Sequence, residues 1–229
     1  KLGLQWSVIR RILQVGLPAG CQGVVFSLSN VVIQSAINSF DDPVLAAGSS
    51  ASASIEGFVY TAMNSVFHAA ITFTSQNLGA GRIDRIKKVL TACLTTVLMI
   101  GLPLCLTCFL FGRQLLSIYV SSADATYEDV IRYGLVRLHR FGSLYFLCGM
   151  MDVGSGVVRG LGYSIMPMLV SMVGACVFRV IWVYTIFAHY HTIPSLYLLY
   201  AFSWTITAAV EIAYFLRCFR KLRLVPETA

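Results

Sequence analysis

The sequence predicts an all-α integral membrane protein: a bundle of six transmembrane helices in one membrane domain covering residues 1–229. Three observations predict it. Six apolar stretches follow one another with short interruptions, and each is about the 20 residues a helix needs to cross a hydrocarbon core of roughly 30 Å. Hydrophobic residues make up 57% of the chain and charged residues only 12%, against about 25% charged in a soluble domain. Mean hydropathy is accordingly high, +0.76. Finally, runs such as 97–106 do not alternate at every second position as a barrel strand would. Only helices and closed barrels satisfy their backbone groups without water, so the spans are helices.

The first span, 12–40, opens on Gly16-Leu17-Pro18 and carries Ser27, Asn30, Gln34 and Asn38 at spacings that place them on one helical face. The turn Asp41-Asp42-Pro43 separates it from the second, 44–73. Here a polar residue recurs at every fourth position: Ser52, Glu56, Tyr60, Asn64, His68, Thr72 and Gln76. At 3.6 residues per turn such a row drifts by about 40° per step, so three or four neighbours share a face but not all seven. The two strips are expected to face one another. The third span, 89–111, contains Pro103, a candidate bending point like Pro18, and the pair Cys105 and Cys108. The segment 112–129 is read as a loop. The fourth span, 141–159, carries Asp152 and ends on Arg159, the fifth, 166–188, opens near Pro167 and carries Arg179, and the sixth, 196–216, carries Glu211.

Lys and Arg outnumber Asp and Glu by 17 to 10, a net charge of +7. Their placement reads as membrane orientation, since short cytoplasmic loops concentrate basic residues. Lys1, Arg10 and Arg11, then Arg82, Arg85, Lys87 and Lys88, then Arg159, then Arg217, Arg220, Lys221 and Arg223 all fall on one side. Both termini are thus expected in the cytoplasm, the protein lying in the cytoplasmic membrane with lipid as its surroundings. Arg132, Arg137 and Arg140 fall on the outer side and are expected to snorkel outward. No stripe interleaves basic with aromatic residues, so nucleic acid is not an expected partner. A start at Lys1, without a cleavable signal peptide, suggests a fragment.

Seven cysteines lying almost wholly within the spans are not a disulfide framework. The Cys105–Cys108 pair has no second pair to complete a metal site, and His189 and His191 read as loop residues. Gly154, Gly156, Gly160 and Gly162 resemble a phosphate loop, but no strand precedes them and no GKS or GKT follows. Close helix approach is the better reading. No HExxH or nucleophile–base pair appears, so the chain is not read as an enzyme, and no cofactor is expected beyond a coupling ion.

Four charges lie inside the spans: Glu56, Asp152, Arg179 and Glu211. A central charge costs roughly 2.5–3.5 kcal/mol on insertion scales and normally faces a cavity or a partner. From the 1.5 Å rise, Glu56 lies about 18 Å and Arg179 about 15 Å below the outer ends of their helices, depths at which the two can pair. That pair is either structural or one that opens when cation or substrate binds. Asp152 lies on nearly the same face as Arg159 and either pairs with it or binds a proton, a cation or a cationic group. Glu211, near Arg217, is read as structural. The candidate cation- and substrate-binding set is Glu56, Asp152, Asn30, Gln34, Tyr60, Asn64 and Arg179, and Asn30, Asn64 and Thr61 are the oxygen ligands available to Na⁺. Interhelical polar contacts, worth about 0.6 kcal/mol each, are the competing account of the amides and hydroxyls.

The run ILQVGLPAGCQG at the head of the first span, QNLGAGRIDRIKK after the second, and VVRGLGYSIMPM leading to GACVFRVIWVY in the fifth resemble the multidrug and toxic compound extrusion (MATE) transporters. The chain is most similar to their C-terminal lobe, one of two six-helix lobes in a twelve-helix pseudo-symmetric transporter. The resemblance implies export of organic cations and drugs by alternating access, in antiport with Na⁺ or H⁺, and a missing N-terminal lobe as partner. It extends to Pro18, Gln76, Asn77, Gly79, Arg159 and Arg179. Well-known Na⁺-coupled branches carry an acidic residue in the first helix of this lobe, whereas 19–40 has none, and Asp152 stands about two turns closer to the RGLG run than the acid often seen in that helix. Two alternatives stand beside the exporter. A lipid-linked substrate flippase would line its cavity with more basic residues to meet phosphate, and a non-transporting membrane scaffold would show no cavity at Glu56.

Overall fold

The computed structural model describes residues 5–122, 124–142 and 144–224, with side chains described except at Arg11 and beyond Lys221. Lys1 and the side chains of Arg11 and Arg223, used above for orientation, therefore lie outside the described residues. Regular structure among the described residues is helical throughout: α1 (Trp6–Asn38), α2 (Pro43–Gly79), α3 (Ile83–Leu110), α4 (Gly112–Ser117), α5 (Tyr127–Gly142), α6 (Phe146–Gly160), α7 (Ile165–Tyr190) and α8 (Ile193–Leu224).

Local chemistry sets the boundaries. Asp41 has a positive φ of 50°, and the Asp42 carboxylate accepts from the backbone N–H groups of Val44 and Leu45 at 2.9 and 3.1 Å, with Pro43 opening α2. This is an N-cap followed by proline at the first helical position. Gly81, with φ of 68°, makes the turn into α3, and Gly162, with φ of 93°, the turn after α6. Before α5, Asp124 accepts from the backbone N–H and the hydroxyl of Thr126, which holds its carboxyl below the ordinary pKa. α1 and α3 run on through Pro18 and Pro103. Helical irregularity lies instead in α7, where π-helical turns at Met172–Val177 and Val183–Phe187 flank a short α segment, Phe178–Trp182.

α1, α3, α7 and α8 are each long and apolar enough to cross a membrane, and α5 and α6, bent by 45° at the break between them, meet the same length and hydropathy requirement only when taken together. α2, at 37 residues, reaches about 56 Å; its polar series lowers its hydropathy, not its length. Exposed Val31, Phe58, Met99 and Tyr184, each at least 65% accessible, are what a lipid-facing surface requires and would be an aggregation liability in water.

The fourth span differs from expectation. Read as 141–159, it is helical as α6 from Phe146 and is preceded across a 45° bend by α5, which has no apolar run and shows instead a stripe, Val130, Ile131, Gly134, Leu138 and Phe141, all buried. Arg137 shares that stripe and is only 8% exposed, so it does not snorkel outward. Its neighbour Arg132 is exposed and pairs with Asp129 at 3.1 Å.

α5 and α6 both pack extensively on α2, and α6 also on α8. Glycine makes these approaches possible. A Cβ on Gly48 would lie 2.5 Å from the Val130 carbonyl oxygen and 2.9 Å from the Gly134 nitrogen, and one on Gly160 would lie 2.6 Å from the Thr74 Cβ. A Cβ on Gly154 would lie 3.3 Å from the Glu211 Cβ on α8, and one on Gly156 3.0 Å from Phe67 on α2, tight but less so. The glycine run of α6 is thus a close-packing surface, while Gly162 serves the turn.

Because the atoms opposing Gly48 are backbone, Gly48→Ala is expected to destabilise the fold by about 1–3 kcal/mol, as overpacking does. Gly16→Ala, where a Cβ meets nothing within 4 Å, should leave stability unchanged or raise it by up to about 1 kcal/mol, since glycine inside a helix is less favourable than alanine. Thermal unfolding in detergent compares the two.

Candidate functional site

Between α1, α2, α5, α6, α7 and α8 lies a cavity of about 680 Å³, within the 300–1,000 Å³ range of small-molecule sites. It gathers the whole predicted set: Asn30 and Gln34 from α1, Glu56, Tyr60 and Asn64 from α2, Asp152 from α6 and Arg179 from α7. The polar strip of α2 enters it only through Glu56, Tyr60, Asn64 and His68. Ser52 turns instead to the Gly134 carbonyl, 2.6 Å away, and Thr72 bonds back to the His68 carbonyl at 2.9 Å. This is the drift expected of a four-residue repeat on a 3.6-residue helix. Thr61, proposed above as a Na⁺ ligand, lies off the cavity and donates to the Gly57 carbonyl at 2.8 Å.

The expected Glu56–Arg179 pair does not form. Glu56 is paired with Arg137, whose Nε and Nη2 donate to the two carboxylate oxygens at 2.9 Å each, while Nη1 donates to Ser49 Oγ at 2.7 Å. The glycine contact of Gly48 with Gly134 brings α5 against α2, and Arg137, one turn further on α5, meets Glu56, two turns further on α2. A planar, bidentate, fully donated pair is the geometry in which a buried guanidinium and carboxylate offset their desolvation. Phe141 and Tyr197 cover the guanidinium, with ring centroids 4.9 and 5.8 Å from Cζ.

Arg179 is 3% exposed, its Nε has no hydrogen-bond partner, and no carboxylate lies within ion-pair distance among the described residues. It lies over the Tyr200 ring, 4.5 Å from its centroid, with Phe26 at 5.8 Å. Asp152 lies beside the Tyr60 hydroxyl, which also accepts from the Asn64 amide at 3.2 Å, yet its Oδ2 is buried without a partner. Asp152 and Arg159 attract one another without forming an ion pair, and Arg159 donates to Gln22 of α1.

Glu211 differs from its reading as a group near Arg217. It is fully buried, receives the Ser171 hydroxyl at 3.5 Å and is attracted to Arg159. Close approach of α8 to Gly154 of α6 points it at α6, while Arg217, six residues on, lies about 240° around the helix. His191 is an exposed loop residue, as read, and its ring also packs on Phe40 and Phe187 and bonds to Ser39 Oγ at 3.3 Å.

Arg137, Gln22, Tyr145, Tyr200 and Trp204 also line the cavity and were not anticipated. A signal existed for Arg137, which keeps the 3–4 spacing of the α5 stripe. The aromatic residues looked like ordinary apolar positions of their spans.

Comparison with known proteins agrees with the fold. The family model described as MatE matches residues 18–185. A probable multidrug resistance protein of Bacillus subtilis, YoeA, is 25% identical over 70% of this chain and 34% of its own length. A crystal structure of MATE in complex with MaL6 superposes with a TM-score of 0.87 at 16% identity, over 97% of this chain and 49% of that one. A Pyrococcus furiosus transporter of the MOP superfamily, reported with a binding pocket of reverse polarity, superposes with a TM-score of 0.87 at 16% identity, over 96% and 49%. The chain thus spans about a third of the curated relative and about half of each solved transporter.

Removing one member of the Arg137–Glu56 pair leaves the other charge buried alone. Arg137→Met is expected to lower stability by about 3–5 kcal/mol, and Arg137→Met with Glu56→Leu to recover most of the loss. Thermal unfolding of the single and double variants checks this, with non-recovery in the double variant as the contrary result.

Proposed function

The chain belongs to the MatE family, and on that premise we propose that it is one lobe of an exporter that carries organic cations and drugs across the cytoplasmic membrane by alternating access, in antiport with Na⁺ or H⁺. The observation that carries this reading is Asp152: a carboxylate facing a cavity of drug size with one oxygen buried and unpartnered. Such a group gains most from a cation, whether a coupling ion or the ammonium of a substrate, and competition of the two for one carboxylate couples their movements. Tyr60 and Asn64 orient the carboxylate, and Asn30 and Gln34 supply further polar contacts from α1. Glu56 has both oxygens held by Arg137 and serves as a wall element joining α2 to α5.

A cytoplasmic location of both termini is supported by exposed Arg82, Arg85, Lys87 and Lys88 at the turn from α2 to α3 and by Arg217, Arg220 and Lys221 near the end of α8. A second, six-helix lobe completes the pathway in this reading, consistent with the half coverage of solved transporters. The cavity at Glu56 weighs against a scaffold role. The flippase reading gains from one observation: Arg137 and Arg159 join Arg179 in lining the cavity, where only Arg179 was expected. The exporter reading is favoured because Glu56 neutralises Arg137 and because Asp152 remains open.

In the full transporter reconstituted into vesicles, Asp152→Asn is expected to reduce efflux of an ethidium-like cation under an imposed Na⁺ or H⁺ gradient by about tenfold or more, the scale of one charge-assisted contact. Thr61→Val, off the cavity, should transport as wild type does. Undiminished efflux in Asp152→Asn rejects this carboxylate as the coupling group.

A further inference from the structure

We propose that Arg179 is an anion-binding site, taking a carboxylate or phosphate group carried by a transported molecule. This rests on the cavity being a transport pathway and specifies what that pathway accepts. Three arginines and two acids line the cavity, but their charges are not equally available. Arg137 is consumed by Glu56 through two hydrogen bonds. Arg159 is attracted to both Asp152 and Glu211 and donates to Gln22. Arg179 is left as the uncompensated charge, 97% buried by its 3% exposure and with Nε unpartnered.

Arginine cannot shed its proton to relieve this, so a buried guanidinium without an acceptor calls for one from elsewhere. Tyr200 covers a face of the group, an arrangement that leaves the in-plane N–H donors free and matches the fork of a carboxylate or phosphate. The α segment that holds Arg179 lies between two π-helical turns, a form of irregularity frequent at functional sites. Asp152 and Arg179 both line this cavity. An open carboxylate and an open guanidinium thus face the same space, and a molecule bearing both charges is complementary to the pair.

The anion has two possible sources, the transported molecule or an acidic side chain elsewhere in the full transporter, and a matched probe pair separates them. The probes are a rhodamine with a free carboxylate and its ethyl ester, cationic dyes that differ in the anion. Binding to the purified full transporter is followed by quenching of Trp204, which lines the cavity, and uptake is followed in vesicles. Arg179→Gln is expected to weaken the carboxylate dye about tenfold or more and the ester by less than twofold, with Arg179→Lys restoring most of the difference. Equal weakening of both dyes, or of neither, overturns the proposal, as does loss of folding in Arg179→Gln with no dye discrimination in Arg179→Lys, the pattern of an internal acidic partner. If wild type moves the ester but does not distinguish the carboxylate dye, the anion site fails alone. If it moves neither, the transport reading fails and the site with it.

Discussion

The bidentate contact of Arg137 with Glu56 is the interaction on which the rest of the cavity depends. It fastens α5 to α2 through two side chains that are each only 9% exposed, and the close approach of Gly48 and Gly134 makes it possible. With α5 so placed, Phe141 reaches the aromatic group of Tyr197, Tyr200 and Trp204, with ring centroids between 4.2 and 5.7 Å apart. That group forms one wall. Arg179 lies on the Tyr200 ring, and the acid expected to pair with it, Glu56, is already held by Arg137.

The remaining polar groups are distributed unevenly. Side-chain atoms buried without a partner among the described residues are Asp152 Oδ2, Ser155 Oγ, Arg159 Nε and Arg179 Nε on the cavity, and Glu211 Oε2, Ser29 Oγ, Thr74 Oγ1 and Ser164 Oγ away from it. An unmet buried polar atom costs about 1–3 kcal/mol, more for a charged group, so the cost is greatest at the charged Asp152, Arg159, Arg179 and Glu211. Away from the cavity, hydroxyls within the spans are largely satisfied by carbonyls one turn back, as at Ser27, Thr107 and Thr185.

Much of the fold was legible residue by residue. The turn at Asp41-Asp42-Pro43, the apolar lengths of α1, α3, α7 and α8, and the close-packing role of Gly154, Gly156 and Gly160 follow from propensity, hydropathy and side-chain size. α5 was missed because it buries an amphipathic face, so its apolar residues never form a run. The candidate set converged because period alone places Asn30 and Gln34, or Glu56, Tyr60 and Asn64, on one face. Depth along the helices put Glu56 and Arg179 at compatible levels but could not choose between Arg179 and Arg137 as partner, since that depends on rotation and on which helix lies nearest.

From the sequence alone come the solvent, the helical state, the approximate spans and the polar faces, because each is a property of one segment meeting hydrocarbon. Only the tertiary structure decided which buried charges neutralise one another, that Glu211 turns toward Arg159, and that Asp152 and Arg179 remain open on a shared cavity. Pairing depends on distances of a few ångströms between segments far apart in the chain, and those distances are set by where glycines allow two backbones to touch.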